Sequence, residues 1–174
     1  MEGNFYSNPL KLIWIARSAL LPKYLMIIWI LISFILFFGS AIFNFIDFRS
    51  FNVANFFTPS ITGLTFTLAI FTAARNVFRM EELKILATHK GDNDAFKGRP
   101  LLEFLGPFVF TSLIFSVTGI LALIIPYVNI EVCALLIKIF IQIYLDVLVL
   151  GIFSLFNLVL TIINDVYHSV NRPS

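Results

Sequence analysis

The chain has 174 residues, of which 59% are hydrophobic and 13% are charged, and its mean hydropathy is +0.94. A soluble domain of this length could not bury so much apolar surface, so the composition excludes an ordinary soluble globular protein. The formal net charge of +2 is too small to indicate nucleic-acid binding, and the single Cys133 excludes an internal disulfide and a multi-cysteine metal site.

The first predicted element is a short helix over residues 8–21, NPLKLIWIARSALL. Asn8 and Pro9 are typical of a helix start, because asparagine caps the first turn and proline fits the first helical position. The apolar residues that would share one side of this helix are Leu10, Ile13, Trp14, Leu20 and Leu21. The pattern predicts an interfacial helix at the membrane surface. A plain lead-in to the next element is the alternative.

Four long apolar segments follow, and each is long enough to cross a membrane as a helix. The first has no charged residue, and it would be roughly 35 Å long as a helix. The predicted spans are at about 24–46, 56–74, 101–125 and 138–163. The sequence therefore predicts an all-α integral membrane protein with four transmembrane helices, forming a single membrane domain over residues 1–174.

The fourth segment contains IKIFIQIYLD, residues 137–146, whose alternating pattern would by itself suit a β-strand. An open strand in hydrocarbon would leave its backbone N–H and C=O groups unpaired, at a cost of several kcal/mol each. The apolar residues on both sides of this stretch include no turn signals, so we predict a helix here.

Most positively charged residues lie before the first span, between the second and third spans, or at the C-terminus. They are Lys11, Arg17, Lys23, Arg75, Arg79, Lys84, Lys90, Lys97, Arg99 and Arg172. The other two connections contribute only Arg49. Because cytoplasmic loops retain an excess of lysine and arginine, both termini and the central loop are expected in the cytoplasm.

The segment 75–100 is predicted to continue the second helix into the cytoplasm and to end in a polar loop. Its apolar residues do not form one stripe, so we expect contacts on two sides, with other copies of the chain or with a cytosolic protein. The residues expected to dock such a partner are Phe78, Arg79, Glu82, Ile85 and Leu86. Residues 75–103 mix six cations with five anions, which argues against direct nucleic-acid binding.

Small and hydroxyl-bearing residues follow one side of the second and third spans. They are Thr62, Thr65 and Ala69 in the second span, and Ser112, Ser116 and Gly119 in the third. Such residues let membrane helices approach closely and form hydrogen bonds across the contact. The pattern predicts packing of the second span on the third, and a polar permeation path along the threonines is the alternative.

Four polar residues wind along the fourth span: Lys138, Gln142, Asp146 and Asn157. Lys138 could extend to the lipid headgroups, and Gln142 could bond a neighbouring helix. An ionised carboxylate as deep as Asp146 costs several kcal/mol unless it is paired, hydrated or protonated. Lys138 lies about 12 Å from it along the helix, too far to be its partner. We interpret this polar row as an assembly seam or a narrow aqueous path.

Three classes of function can be compared on these features. An enzyme has the least support, because the sequence contains no recognisable catalytic or phosphate-binding motif. No catalytic residue, metal ion or cofactor is therefore expected. A membrane sensor or scaffold that docks a cytosolic protein through residues 75–100 is the preferred interpretation. A small homo-oligomeric ion channel, leak-forming effector or transporter built around the polar row is the alternative.

The layout comprises a short start, a first anchor, the threonine-rich span SITGLTFTLAIFTAARNVF, a charged helix and two closing spans. Over most of the chain it resembles the small four-span membrane subunits of bacterial anti-phage operons, with the membrane subunit of the Kiwa system as the nearest type. The resemblance implies a homo-oligomer in the bacterial inner membrane, coupled to a cytosolic DNA-associated partner and responding to phage infection. It assigns a role to no individual residue.

Overall fold

Within the ranges that it describes, the computed structural model consists of α-helices and two short 3₁₀ turns, with no strand. Those ranges are residues 8–41, 46–48, 50–77, 80–89, 98–128 and 133–170. The helices are α1 (Pro9–Ile15), α2 (Arg17–Leu20), α3 (Lys23–Ala41), α4 (Phe57–Val77), α5 (Met80–Thr88), α6 (Arg99–Ile124) and α7 (Ala134–Val170). The 3₁₀ turns at Val53–Phe56 and Ile125–Tyr127 precede α4 and follow α6.

Helices α3, α4, α6 and α7 are long and apolar enough to cross a membrane. This confirms the prediction of an all-helical chain with four such segments. Helix α7 extends beyond the predicted span 138–163 at both ends, and its 37 residues correspond to roughly 55 Å, against a hydrocarbon thickness of about 30 Å. Residues 137–146, for which we predict a helix despite their alternating pattern, lie inside α7 and are helical.

Local signals explain where several of these helices begin. The Asn8 side chain accepts a hydrogen bond from the Leu10 N–H at 3.0 Å and so caps α1. Helix α6 begins after Gly98, whose φ of 81° lies in the left-handed region that glycine adopts without strain. Pro107 lies inside α6, which nevertheless continues to Ile124.

Three of the long helices form the centre of the bundle. Helix α6 packs against α4 and α7, while α3 packs against α7 at the edge. One core cluster, toward the start of α4, contains Val53, Ala122 and Tyr144. A second, toward the end of α4, contains Ala74, Phe108 and Leu158. We call the end at which α4 finishes the basic end, because Lys23, Arg75 and Arg99 lie there.

Helices α1 and α2 pack on α6 near the basic end. Leu12 and Ala16 are buried, and a Cβ atom on Gly106 would overlap the Ala16 side chain. Leu10 and Trp14, which were expected on the apolar face of an interfacial helix, point outward and are 65% and 69% exposed. The N-terminal helix therefore has one face against the protein and an apolar face directed away from it.

Candidate functional site

The polar row on α7 was the strongest candidate site in the sequence, and the structure places three of its members against other parts of the same chain. Gln142 is buried and accepts a hydrogen bond from the Ser40 hydroxyl of α3 at 3.3 Å. Asn157 donates its side-chain N–H to the main-chain oxygen of Leu20 at 3.3 Å. These two contacts attach α3 and the segment before it to α7.

Asp146 lies between these two contacts and is bound to α3 through its main chain. The indole N–H of Trp29 donates to the Asp146 main-chain oxygen at 3.0 Å. The Asp146 carboxylate is within interaction range of Ser33 on α3. The two side chains do not form a hydrogen bond, however. Asp146 Oδ1 and Ser33 Oγ are buried, and neither atom has a hydrogen-bond partner among the described residues.

Lys138 differs from the other three members of the row, because its side chain is exposed near the start of α7. The row is therefore interrupted: Gln142, Asp146 and Asn157 contact α3 or the segment before it, while Lys138 faces outward. In a single chain this arrangement acts as an internal seam. The assembly seam or aqueous path predicted from the sequence would need a further chain, and it stays a prediction.

A second set of polar contacts connects α4, α6 and α7, and none of its members was identified from the sequence. Ser60 and Thr118 are buried and their hydroxyls are 3.0 Å apart. The Tyr144 hydroxyl donates to the main-chain oxygen of Thr118 at 3.2 Å. Thr111 and Ser154, both fully buried, form a second hydroxyl pair. Side chains from three helices are thus joined without leaving a hydroxyl of this set unpartnered.

The residues predicted to pack the second span on the third occupy different positions. In α4, Thr62, Thr65 and Ala69 are exposed. In α6, Gly119 is buried, and a Cβ there would lie 3.4 Å from the Ser60 side chain. Ser112 and Ser116 are half-buried.

The contact face of α4 carries Ser60, Thr67 and Ala74 instead, all buried and seven residues apart. Thr111 and Thr118 of α6 have the same spacing. A seven-residue repeat is typical of helices that pack with a left-handed crossing. The exposed residues Thr58, Thr65 and Thr72 of α4 have the same spacing, so the repeat by itself does not identify the contact face.

A groove of about 390 Å³ opens between α4 and α7. Its lining is mostly apolar and consists of Thr58, Pro59, Thr62, Gly63, Phe66, Phe115, Leu148, Ile152 and Leu155. Thr62 therefore faces this groove, whereas the Thr65 hydroxyl is satisfied by the main-chain oxygen of Ile61 at 2.9 Å.

The predicted docking segment beyond α4 is helical where the structure describes it. Helix α5 packs against α6, with Ile85 62% exposed and Leu86 half-buried. The Gly98 N–H donates to the His89 main-chain oxygen at 2.9 Å. Phe78 and Arg79 lie outside the described residues, as does the side chain of Glu82.

Within the described part of the chain, no three His, Cys, Asp or Glu residues are grouped so that they could hold a metal ion. Many of the buried polar atoms instead connect helices to one another, and the exposed apolar residues outside the four long helices include Ile85 on α5 and Leu10 and Trp14 on α1. No protein-family model matches this chain, and neither a curated protein nor a solved structure matches it.

Proposed function

We propose that this chain is the membrane-embedded, homo-oligomeric sensor or scaffold subunit of a bacterial defence or stress-response complex. In this proposal it resides in the inner membrane with both termini and residues 75–100 in the cytoplasm, and it docks a cytosolic protein through that segment. The four-span layout and the distribution of cations support the topology. The resemblance to anti-phage membrane subunits supports the biological setting.

One observation carries the docking role: Ile85 is 62% exposed on α5. Helix α5 lies beyond the basic end of α4 and already uses one side to pack on α6, so Ile85 is on its outer side. In the proposed topology that side faces water rather than lipid. An exposed isoleucine beside half-buried Leu83 and Leu86 offers a small apolar surface of the kind that partner proteins cover.

A small homo-oligomeric channel is the second candidate, and Asp146 favours it. A carboxylate oxygen that is buried and unpartnered among the described residues is costly in an apolar environment. Water or a group from another copy could satisfy it. The internal hydrogen bonds of Gln142 and Asn157 weigh against a continuous polar path along α7.

The test is purification of the tagged chain in a mild detergent from cells that carry its neighbouring genes. We expect a soluble protein to co-purify in a fixed ratio with the wild type and to be lost with Ile85→Glu, because a charge would enter the apolar contact. Thr88→Glu is the matched control: it adds the same charge to an exposed position of the same helix and should retain the partner.

Reconstitution of the purified chain into liposomes separates the two candidates. The scaffold proposal predicts no ion flux above that of empty liposomes. Flux from the wild-type chain alone, reduced by Asp146→Leu, would favour the channel. Equal partner retention by Ile85→Glu and Thr88→Glu would contradict docking through α5.

A further inference from the structure

We infer that Arg17, Lys23 and Trp14 form a binding site for the phosphate headgroup of an anionic phospholipid at the basic end of the bundle. The inference goes beyond the proposed scaffold role. It depends on the proposed membrane placement and not on any cytosolic partner. Its evidence is the position of the N-terminal helices, an exposed aromatic–cation pair, and two exposed cations that form no ion pair with a described residue.

The position of the site follows from the contact between Ala16 and Gly106. Gly106 lies seven residues after the start of α6 at Arg99, which places the contact roughly 10 Å along that helix from the basic end. Ser18 lies closer to that end, because its hydroxyl is 3.5 Å from the Glu103 carboxylate. The N-terminal helices thus lie beside the first turns of a span, at the depth where a bilayer changes from headgroups to hydrocarbon.

Trp14 and Arg17 form the exposed part of the site. The Arg17 guanidinium lies over the Trp14 ring at 4.8 Å from its centroid, a cation–π contact that holds the two side chains together. Trp14 is 69% exposed, and Leu10, one helical turn earlier, is 65% exposed. A tryptophan with an apolar neighbour and an adjacent cation is typical of the membrane–water interface, where the ring enters the bilayer and the charge meets phosphate.

The two cations of this surface, Arg17 and Lys23, form no ion pair with a described residue. Residues 8–41 contain no Asp or Glu. Glu103, the acidic group contacted by α2, already receives the Arg99 Nε–H at 3.0 Å. An exposed cation paired with an exposed tryptophan, and a second exposed cation at the start of α3, favour binding of an external anion. At this depth the phosphate of a lipid is the anion present.

The test measures quenching of tryptophan fluorescence by brominated lipids in vesicles. The chain has two tryptophans, so subtracting the signal of Trp14→Phe, which reports Trp29 alone, isolates Trp14. Vesicles contain the same small fraction of brominated phosphatidylglycerol or brominated phosphatidylcholine in a phosphatidylcholine background. We expect phosphatidylglycerol to quench Trp14 more strongly, with a preference that falls as salt is raised.

Charge-removing variants identify the residues responsible. Each cation near an anionic surface is worth roughly a fivefold preference, so Arg17→Gln or Lys23→Gln should reduce the preference about fivefold and the double variant should abolish it. Lys138→Gln is the matched control, because it removes one exposed positive charge near the start of α7, at the end of the bundle opposite the basic end. It should leave the preference unchanged.

Two results would overturn the inference: equal quenching of Trp14 by both lipids, or a phosphatidylglycerol preference that survives the Arg17→Gln/Lys23→Gln change. If either result is obtained while Trp29 is still quenched, the lipid site is ruled out and the proposed membrane placement is unaffected. If neither lipid quenches Trp29, the membrane placement fails, and with it the proposed function.

Discussion

Helix α7 contacts both α6 and α3, and the two contacts differ in whether their buried polar side chains have hydrogen-bond partners. Toward α6, Thr111 pairs with Ser154, and Tyr144 donates to the main chain of Thr118. Toward α3, Ser33 Oγ and Asp146 Oδ1 are buried without a partner among the described residues. We call the first contact, together with the packing of α4 on α6, the closed seam, and the contact of α3 with α7 the open seam.

The difference shows which part of the bundle is held by close packing. In a membrane, helices gain little from the hydrophobic effect, so small residues and interhelical hydrogen bonds hold them together. The closed seam has both, because Gly63, Gly151 and the paired hydroxyls allow close approach. The open seam relies on Ser40–Gln142 and Trp29–Asp146 hydrogen bonds. We therefore expect α3 to separate from the bundle first when the protein unfolds.

The largest expected effect comes from overfilling the closed seam with Gly63→Leu. A Cβ atom at Gly63 would lie 2.5 Å from the Phe115 ring, so the ring or α4 must move. We expect the free energy of unfolding to fall by about 3 kcal/mol. It can be measured by titrating the detergent-solubilised protein with SDS and following helix content.

Ala69→Leu is the control for this change, because it also adds a larger side chain to α4 but at an exposed position. It should change the free energy of unfolding by less than about 0.5 kcal/mol. A large loss at Ala69 would contradict the assignment of the two faces. It would also indicate that the Thr62–Thr65–Ala69 face packs against another chain.

The second effect has the opposite sign and concerns the open seam. Asp146→Leu removes a buried carboxylate oxygen that has no partner among the described residues, while the Trp29 bond to the main chain can remain. Because a buried unsatisfied polar group costs about 1–3 kcal/mol, the free energy of unfolding should rise by about 2 kcal/mol. The same SDS titration measures it.

Asp146→Leu also tests the polar row as an assembly seam. Size-exclusion chromatography in detergent should give the same oligomeric state as the wild type if the row acts only within one chain. A loss of stability or a change of oligomeric state would show that Asp146 has a partner in another chain.

The comparison between the seams also explains what could be predicted from sequence. Four spans are predictable because hydropathy is a local property, and a long uncharged stretch such as the one after Lys23 is recognisable without knowing its neighbours. The contact face of α4 is harder to predict from the sequence, because hydroxyl-bearing residues occur on both sides of that helix. Ser60, Thr67 and Ala74 repeat every seven residues on the buried side, and Thr58, Thr65 and Thr72 do so on the exposed side, so the spacing does not distinguish the two.

The environment of Asp146 could not be predicted for a different reason. Its unusual depth in an apolar helix was visible in the sequence, but its neighbour Ser33 is more than a hundred residues away. Which helix supplies that neighbour depends on how the spans are arranged. From the sequence alone, the neighbour of Asp146 could lie across an oligomeric axis or on another helix of the same chain. In the folded chain, α3 covers this side of α7.

The smallest effect compares the same chemical change in the two seams, Ser60→Ala and Ser33→Ala. Ser60→Ala breaks the 3.0 Å hydroxyl pair with Thr118, so we expect a loss of about 1 kcal/mol in the free energy of unfolding. Ser33→Ala removes a hydroxyl that has no partner among the described residues, and the stability should stay the same or rise by a few tenths of a kcal/mol.

Both serines are in long apolar helices, so helix propensity changes equally in the two variants and the difference between them reports the seam alone. SDS titration of the two proteins under identical conditions gives that difference directly. A loss of similar size for Ser33→Ala would mean that the Ser33 hydroxyl bonds the Asp146 carboxylate after all. The double variant Ser33→Ala/Asp146→Leu would then show a coupling energy that the open seam does not predict.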